Sequence, residues 1–141
     1  MRFMIIVKAT KDSEAGVMPP ESLFAAMAAY HEEMMKAGIV LDASGLQPSS
    51  KGFRIRWSRG EQSIVDGPFA ETKELVAGYT LIQVKSREEA LAWARRMPNP
   101  ALGDGEIEVR QLYELEDFTP SEAIERFREM GIGGEAKPRG A

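Results

Sequence analysis

The sequence of 141 residues contains no cysteine and only one histidine. The absence of cysteine excludes disulfides, thiol catalysis and cysteine-based zinc sites, and nothing else suggests secretion. With one histidine, carboxylates are left as the main metal ligands, and no loop has the spacing of a magnesium or calcium site. No glycine-rich loop connects a strand to a helix as phosphate-binding loops do. We therefore expect neither a metal nor a cofactor.

Long apolar runs and runs of basic residues are also missing. The first apolar run, Phe3 to Val7, is too short to cross a bilayer and is not followed by a signal-peptide cleavage pattern. The net charge is −4, whereas a nucleic-acid partner usually requires a concentrated positive face. These features favour a cytoplasmic protein that binds neither nucleic acid nor a membrane.

Most of the chain alternates between strand patterns and helix patterns. Phe3 to Val7 is typical of a buried strand, and residues 21–38 place apolar side chains on one helical arc. The later patterns predict strands at 39–47, 52–57, 62–65, 76–85 and 105–115, and a helix at 88–97. The strands at 52–57 and 62–65 form a hairpin. Without this hairpin the order is βαββαβ, so we predict an α+β, ferredoxin-like fold with an antiparallel sheet and an inserted β-hairpin.

The first strand is apolar on both of its faces. Met4 and Ile6 alternate with Phe3, Ile5 and Val7, so helices on one side of the sheet would leave an apolar surface on the other. A large exposed apolar patch is unusual for a soluble monomer. We expect a homodimer in which two sheets stack, and the alternative is that a C-terminal helix folds back over this face.

The C-terminal region predicts a further helix. Thr119-Pro120 is typical of a helix start, with Glu122 completing a capping box, and Ala123, Ile124 and Phe127 belong to an apolar side that should dock. The expected organisation is a main domain over 1–118, a helical extension over 119–131 and a flexible tail over 132–141.

The segment DGPFAETKE, residues 66–74, resembles the signature of the YCII-related, or DGPF-domain, proteins. The segments YHEEMMKAG, ASGLQP and AGYTLIQVKSREEALAWA resemble the same family in the same order. The resemblance covers Met1 to Phe118 and implies a dimeric α+β barrel fold. It also implies a small-molecule lyase or isomerase that uses a histidine and an aspartate, by position His31 and Asp66. The rival that it implies is a non-catalytic dimeric module, binding a ligand or a protein, associated with sigma-factor regulation.

The residues themselves allow two interpretations of this pair. By helical angle, His31 lies between Met27 and Met35 and should point towards the sheet. It is either a structural histidine held by a backbone carbonyl or Asp66, or a general acid or base. Asp66 ends a strand before Gly67-Pro68, where we expect its carboxylate to accept backbone N–H bonds and also to orient His31.

A small-molecule ligand would have further candidate contacts around the DGPF segment. Phe69 is either a core side chain or an apolar wall of the site. Glu71 and Lys73 belong either to a solvated face or to the rim of a pocket. Lys73, Arg54 and Arg56 would suit an anionic ligand if their side of the hairpin faces the pocket.

Overall fold

A computed structural model describes residues 1–140. Over these residues the chain forms six strands and four α-helices. The strands are β1 (Arg2–Lys8), β2 (Val40–Gly45), β3 (Phe53–Ser58), β4 (Glu61–Asp66), β5 (Val76–Gln83) and β6 (Ile107–Gln111). The α-helices are α1 (Lys11–Glu14), α2 (Glu21–Lys36), α3 (Arg87–Ala94) and α4 (Glu122–Glu129), and single 3-10 turns lie at Ser49–Lys51, Thr72–Glu74 and Leu115–Asp117.

The main sheet has the ferredoxin-like arrangement that the sequence predicts. Its strand order is β2-β5-β1-β6, and every neighbouring pair is antiparallel. The β3-β4 hairpin forms a separate two-stranded sheet. The predicted α+β fold with an inserted hairpin is therefore confirmed.

The core lies between the main sheet and helices α2 and α3. Ile5 of β1, Ile82 of β5 and Met34 of α2 are almost completely buried. Along β1, Met4 and Ile6 alternate with buried residues and are only half-buried on the opposite face. The second apolar face is thus present as expected. The second copy of the chain that was expected to cover it stays a prediction.

Helix α4 differs from the sequence prediction in its start and in its packing. Ser121, not Thr119, is the N-cap, because the Ser121 hydroxyl accepts the Ile124 N–H at 3.2 Å. Phe127 is 43% exposed and Ala123 is also exposed, so the predicted docking of this face is wrong within the chain. Within residues 1–140, the helix contacts chiefly the turn at Leu115–Asp117.

The tail lies along the outer edge of β2. The Gln83 side chain both donates to and accepts from the backbone of Ala136, at 3.0 Å each. The Arg139 N–H donates to the Val40 carbonyl at 2.7 Å, and the Arg139 side chain donates to the Leu41 carbonyl at 3.1 Å. The predicted flexibility of 132–141 stays a prediction, and Ala141 lies outside the described residues.

Tyr30 joins α2 to α3 and gives the fold a dependence on alkaline pH. Its hydroxyl donates to the Trp93 carbonyl at 2.7 Å. Burial raises the pKa of Tyr30 from about 10 to about 12, against a smaller lowering by Arg96. The contribution of this raised pKa to the free energy of unfolding is present in full below about pH 10. It is lost as the pH rises through about 12.

We therefore expect Tyr30→Phe to remove part of the alkaline destabilisation. Near pH 8 the variant should be less stable by about 1 kcal/mol, because it lacks the hydrogen bond to Trp93. Between about pH 10 and 12 the difference should shrink and then change sign, since only the wild type loses about 2–3 kcal/mol from this phenol. Urea unfolding of both proteins across this range measures the effect, and parallel pH curves would contradict it.

Candidate functional site

Helix α2 directs the imidazole of His31 onto the sheet. His31 follows buried Tyr30 and comes one turn after Met27, on the side of α2 that packs on the core. Its Nδ1 lies 2.8 Å from the Met27 carbonyl oxygen, and its Nε2 lies 2.9 Å from Thr80 Oγ1 on β5. The predicted orientation of His31 is therefore correct, and both ring nitrogens have hydrogen-bond partners.

Hydrogen bonds to these two partners select one tautomer of the neutral imidazole. A carbonyl oxygen only accepts hydrogen bonds, so Nδ1 must carry the hydrogen that Met27 accepts. In the neutral ring Nε2 is then the acceptor, and the Thr80 hydroxyl donates to it. Thr80 is only 3% exposed, and within residues 1–140 its hydroxyl has no other hydrogen-bond partner.

A cavity of about 320 Å³ opens beside His31 and Thr80. Its wall is mainly apolar, and none of the residues that line it within the described chain carries a charged side chain. The apolar lining side chains are Val7, Met27, Ala43, Ala77 and Met97. Gly45 and Gly78, which pair across β2 and β5, also line it, and a Cβ on Gly78 would lie only 3.0 Å from the Ser44 carbonyl oxygen. The cavity therefore has a mainly apolar wall and a polar end at His31 and Thr80, while Ser44 and Tyr79 are the other polar residues that line it.

The DGPF segment packs against the turn at Ser49–Lys51. The Gly67 N–H donates to the Gly52 carbonyl at 3.0 Å, and the Phe69 N–H donates to the Ser49 hydroxyl oxygen at 3.0 Å. The Ser49 N–H donates to Glu14 at 2.8 Å, and the Ser49 hydroxyl also bonds to that carboxylate. Gly67 lies so close to Ser49 that a Cβ at this position would be 1.8 Å from the Ser49 carbonyl oxygen. Much of the signature therefore has a structural role.

Asp66 does not take the position that the sequence suggests. It is exposed at the end of β4, and its carboxylate forms no hydrogen bond or ion pair within residues 1–140. The backbone of Gly67 and Phe69 holds the turn instead. Asp66 is not a hydrogen-bond partner of His31, because Met27 and Thr80 take the two ring nitrogens. A catalytic role for Asp66 stays a prediction.

The proposed ligand contacts near the hairpin lie outside the cavity at His31. The Arg54 guanidinium stacks over the Phe69 ring, 3.8 Å from its centroid, so Phe69 is half-buried beneath a cation. Arg56, Glu71 and Lys73 are exposed. None of these five residues lines the cavity, and their roles in binding stay predictions.

Sequence reasoning did not identify Thr80, Gly78 or Met97 as parts of the site. Thr80 had a usable signal, since it is a polar residue on the buried side of the apolar strand VAGYTLIQ. An unpaired hydroxyl at such a position is costly, so a partner on a covering helix was to be expected. The contributions of Gly78 and Met97 depend on strand register and on the packing of α3, which no local pattern gives.

No cluster of three or more histidine, aspartate or glutamate side chains is arranged to hold a metal ion within residues 1–140. No helix among the same residues has the length and apolar character needed to cross a membrane.

Comparisons with known proteins agree with the resemblance of the DGPF segment. The model of the family described as YCII-related domain matches residues 1–116. An uncharacterised protein of Rhizobium meliloti (strain 1021) is 38% identical over 86 residues, which are 61% of this chain and 69% of that protein. Among solved structures, 5-chloro-2-hydroxyhydroquinone dehydrochlorinase from Burkholderia phenoliruptrix AC1100, in complex with 2,5-dihydroxybenzoquinone, gives a TM-score of 0.46 at 16% identity. That match covers 81% of this chain and 95% of the other.

Proposed function

We propose that this chain, which belongs to the YCII-related domain family, binds a small uncharged molecule beside His31 and exchanges a proton with it. The observation that carries the proposal is the single neutral form of His31 at the polar end of a mainly apolar cavity. Histidine is the side chain most often used for proton transfer near neutral pH. Lyase or isomerase chemistry fits, because it requires proton transfer and no cofactor.

The lining of the cavity selects the class of ligand. Its volume of about 320 Å³ is at the small end of ligand sites, which suits a molecule of about one ring. A charged group would lose its hydration without gaining a countercharge from the wall. A neutral ring with one hydroxyl would instead match the apolar wall and the polar end.

The alternative is a non-catalytic module that binds a ligand or a protein. Such a module would hold a neutral molecule in the same cavity without transferring a proton. The two functions differ in whether the bound molecule changes its protonation state when His31 is present.

We also propose that two copies of the chain associate through the β3-β4 hairpin. Phe53, Ile55, Trp57 and Ile64 are each 41–70% exposed in one chain. The alternation along β3 and the cross-strand pair Ile55–Ile64 place these four side chains on the same face. This face is far more exposed than Met4 and Ile6 on the main sheet, so it is the better candidate for the interface.

Phenol, benzoate and toluene test the proposed ligand class. Phenol should bind and shift the ring signals of His31, which are unambiguous in NMR because the chain has one histidine. At about pH 8, where an ordinary imidazole is neutral, benzoate should bind about tenfold more weakly or less, because it brings no proton to charge His31 and so meets no countercharge; toluene should also bind more weakly, because it lacks the hydroxyl. Calorimetry should show that His31→Gln weakens phenol binding about tenfold.

Glu32→Gln is the matched control, since Glu32 is the next residue of α2 and is exposed. It should leave the affinity for phenol unchanged. Equal binding of phenol and benzoate, or wild-type affinity in His31→Gln, would contradict the proposed site.

A further inference from the structure

We propose that the Thr80 hydroxyl relays the proton between the bound molecule and His31. This inference rests on the proposed function and assigns a second residue to the same site. Thr80 lines the cavity, is 3% exposed and forms its hydrogen bond with His31 Nε2 at 2.9 Å. It is therefore in contact both with the imidazole and with the space for a ligand.

The directions of the hydrogen bonds give Thr80 this role. Met27 fixes the hydrogen on Nδ1, so the Thr80 O–H points at the lone pair of Nε2. The hydroxyl oxygen keeps its acceptor capacity, which a hydroxyl on the ligand can use. The result is a chain of donors that runs from the ligand O–H to Thr80 and from Thr80 to His31.

Direct transfer from the ligand to His31 would be less favourable. A ligand hydroxyl that bonds Nε2 must first displace the Thr80 hydroxyl. The displaced group is buried and has no other partner within residues 1–140, and such an unsatisfied donor costs about 1–3 kcal/mol. Transfer through Thr80 keeps every one of these hydrogen bonds.

The relay step is balanced without a co-reactant. The ligand O–H bond breaks, and its proton joins Thr80 Oγ1 as the proton already on that oxygen moves to His31 Nε2. The products are an anionic ligand, a protonated imidazole and a threonine hydroxyl that is restored. The reverse step returns the proton to a different atom of the ligand in an isomerase, or accompanies loss of a leaving group in a lyase.

4-Nitrophenol tests the relay, because it is neutral, carries one hydroxyl on one ring, and gives an anion that absorbs visible light. The titration is done at a pH where the free probe is mostly neutral. Wild type and Thr80→Ser should hold the probe largely as the anion, since serine keeps the hydroxyl. Thr80→Val keeps the shape of the side chain, so it should still bind the probe, but after a rapid pH jump the bound anion should form about tenfold more slowly or worse, because the relay changes the path of the proton and not its equilibrium.

Thr119→Val is the matched control, because Thr119 is exposed and distant in sequence from the site. It should behave as wild type. A wild-type rate of anion formation in Thr80→Val would overturn the relay while leaving His31 as the base. Failure of wild type to bind or ionise the probe would instead overturn the proposed function, and the relay with it.

A measurement without ligand checks the starting geometry independently. Nitrogen-detected NMR of the single imidazole should show hydrogen on Nδ1 and an acceptor Nε2 in wild type and Thr80→Ser. In Thr80→Val the chemical shift of Nε2 should move towards that of a ring nitrogen that accepts no hydrogen bond. Hydrogen on Nε2 in the neutral wild-type ring would overturn the relay whatever the ligand.

Discussion

Replacing Gly67 with alanine should destabilise the protein by about 3 kcal/mol or more. The added Cβ would lie 1.8 Å from the carbonyl oxygen of Ser49 and 2.7 Å from its carbonyl carbon. Both are backbone atoms of a hydrogen-bonded turn, so no side chain can rotate to relieve the overlap. The DGPF loop must move away, and it then loses the hydrogen bonds from Gly67 to Gly52 and from Phe69 to Ser49.

Gly103→Ala is the control for this substitution. A Cβ on Gly103 meets no atom within 4 Å, and its backbone is not in the left-handed region. The free energy of unfolding of Gly103→Ala, measured in urea, should therefore stay within about 0.5 kcal/mol of the wild-type value. Equal stability of the two variants would show that the loop is not anchored on Ser49.

The elements of the main sheet could be predicted from the sequence because each has its own period of apolar residues. The run from Phe3 to Val7 and the helical arc around His31 are local patterns, and the core follows them. The predicted start of α4 was two residues early, because Thr119 and Ser121 are both residue types that cap helices. The exposure of α4 could not be predicted either, because an amphipathic pattern indicates a buried face without identifying what covers it.

The site shows the same division between local and tertiary information. The orientation of His31 followed from its helical angle, whereas its partner depended on which strand lies beneath α2. Asp66 was a reasonable partner by sequence, but the hairpin that carries it does not join the main sheet. Thr80 became the partner because β5 lies in the middle of the sheet and its Ile82–Thr80 face is turned to the helices.

Replacing Trp57 with glutamate should convert the proposed dimer into monomers. The exposed parts of Phe53, Ile55, Trp57 and Ile64 together present roughly 400–500 Å² of apolar side chain per copy. Two such faces in contact would bury a large share of the 1,200–2,000 Å² that is typical of stable complexes. Trp57 is the largest and most exposed of the four, so we expect a buried charge there to raise the dimer dissociation constant about a hundredfold or more.

Arg56→Glu is the matched control, because it adds the same residue to the opposite face of the same strand. Light scattering at micromolar concentration should give the dimer mass for wild type and Arg56→Glu, and the monomer mass for Trp57→Glu. A monomeric wild type would exclude the dimer. If Met4→Glu dissociated the dimer and Trp57→Glu did not, the sheets would stack through the face of β1 instead. The apolar face of the hairpin would then need a different partner, because a two-stranded sheet alone is at best marginally stable in water.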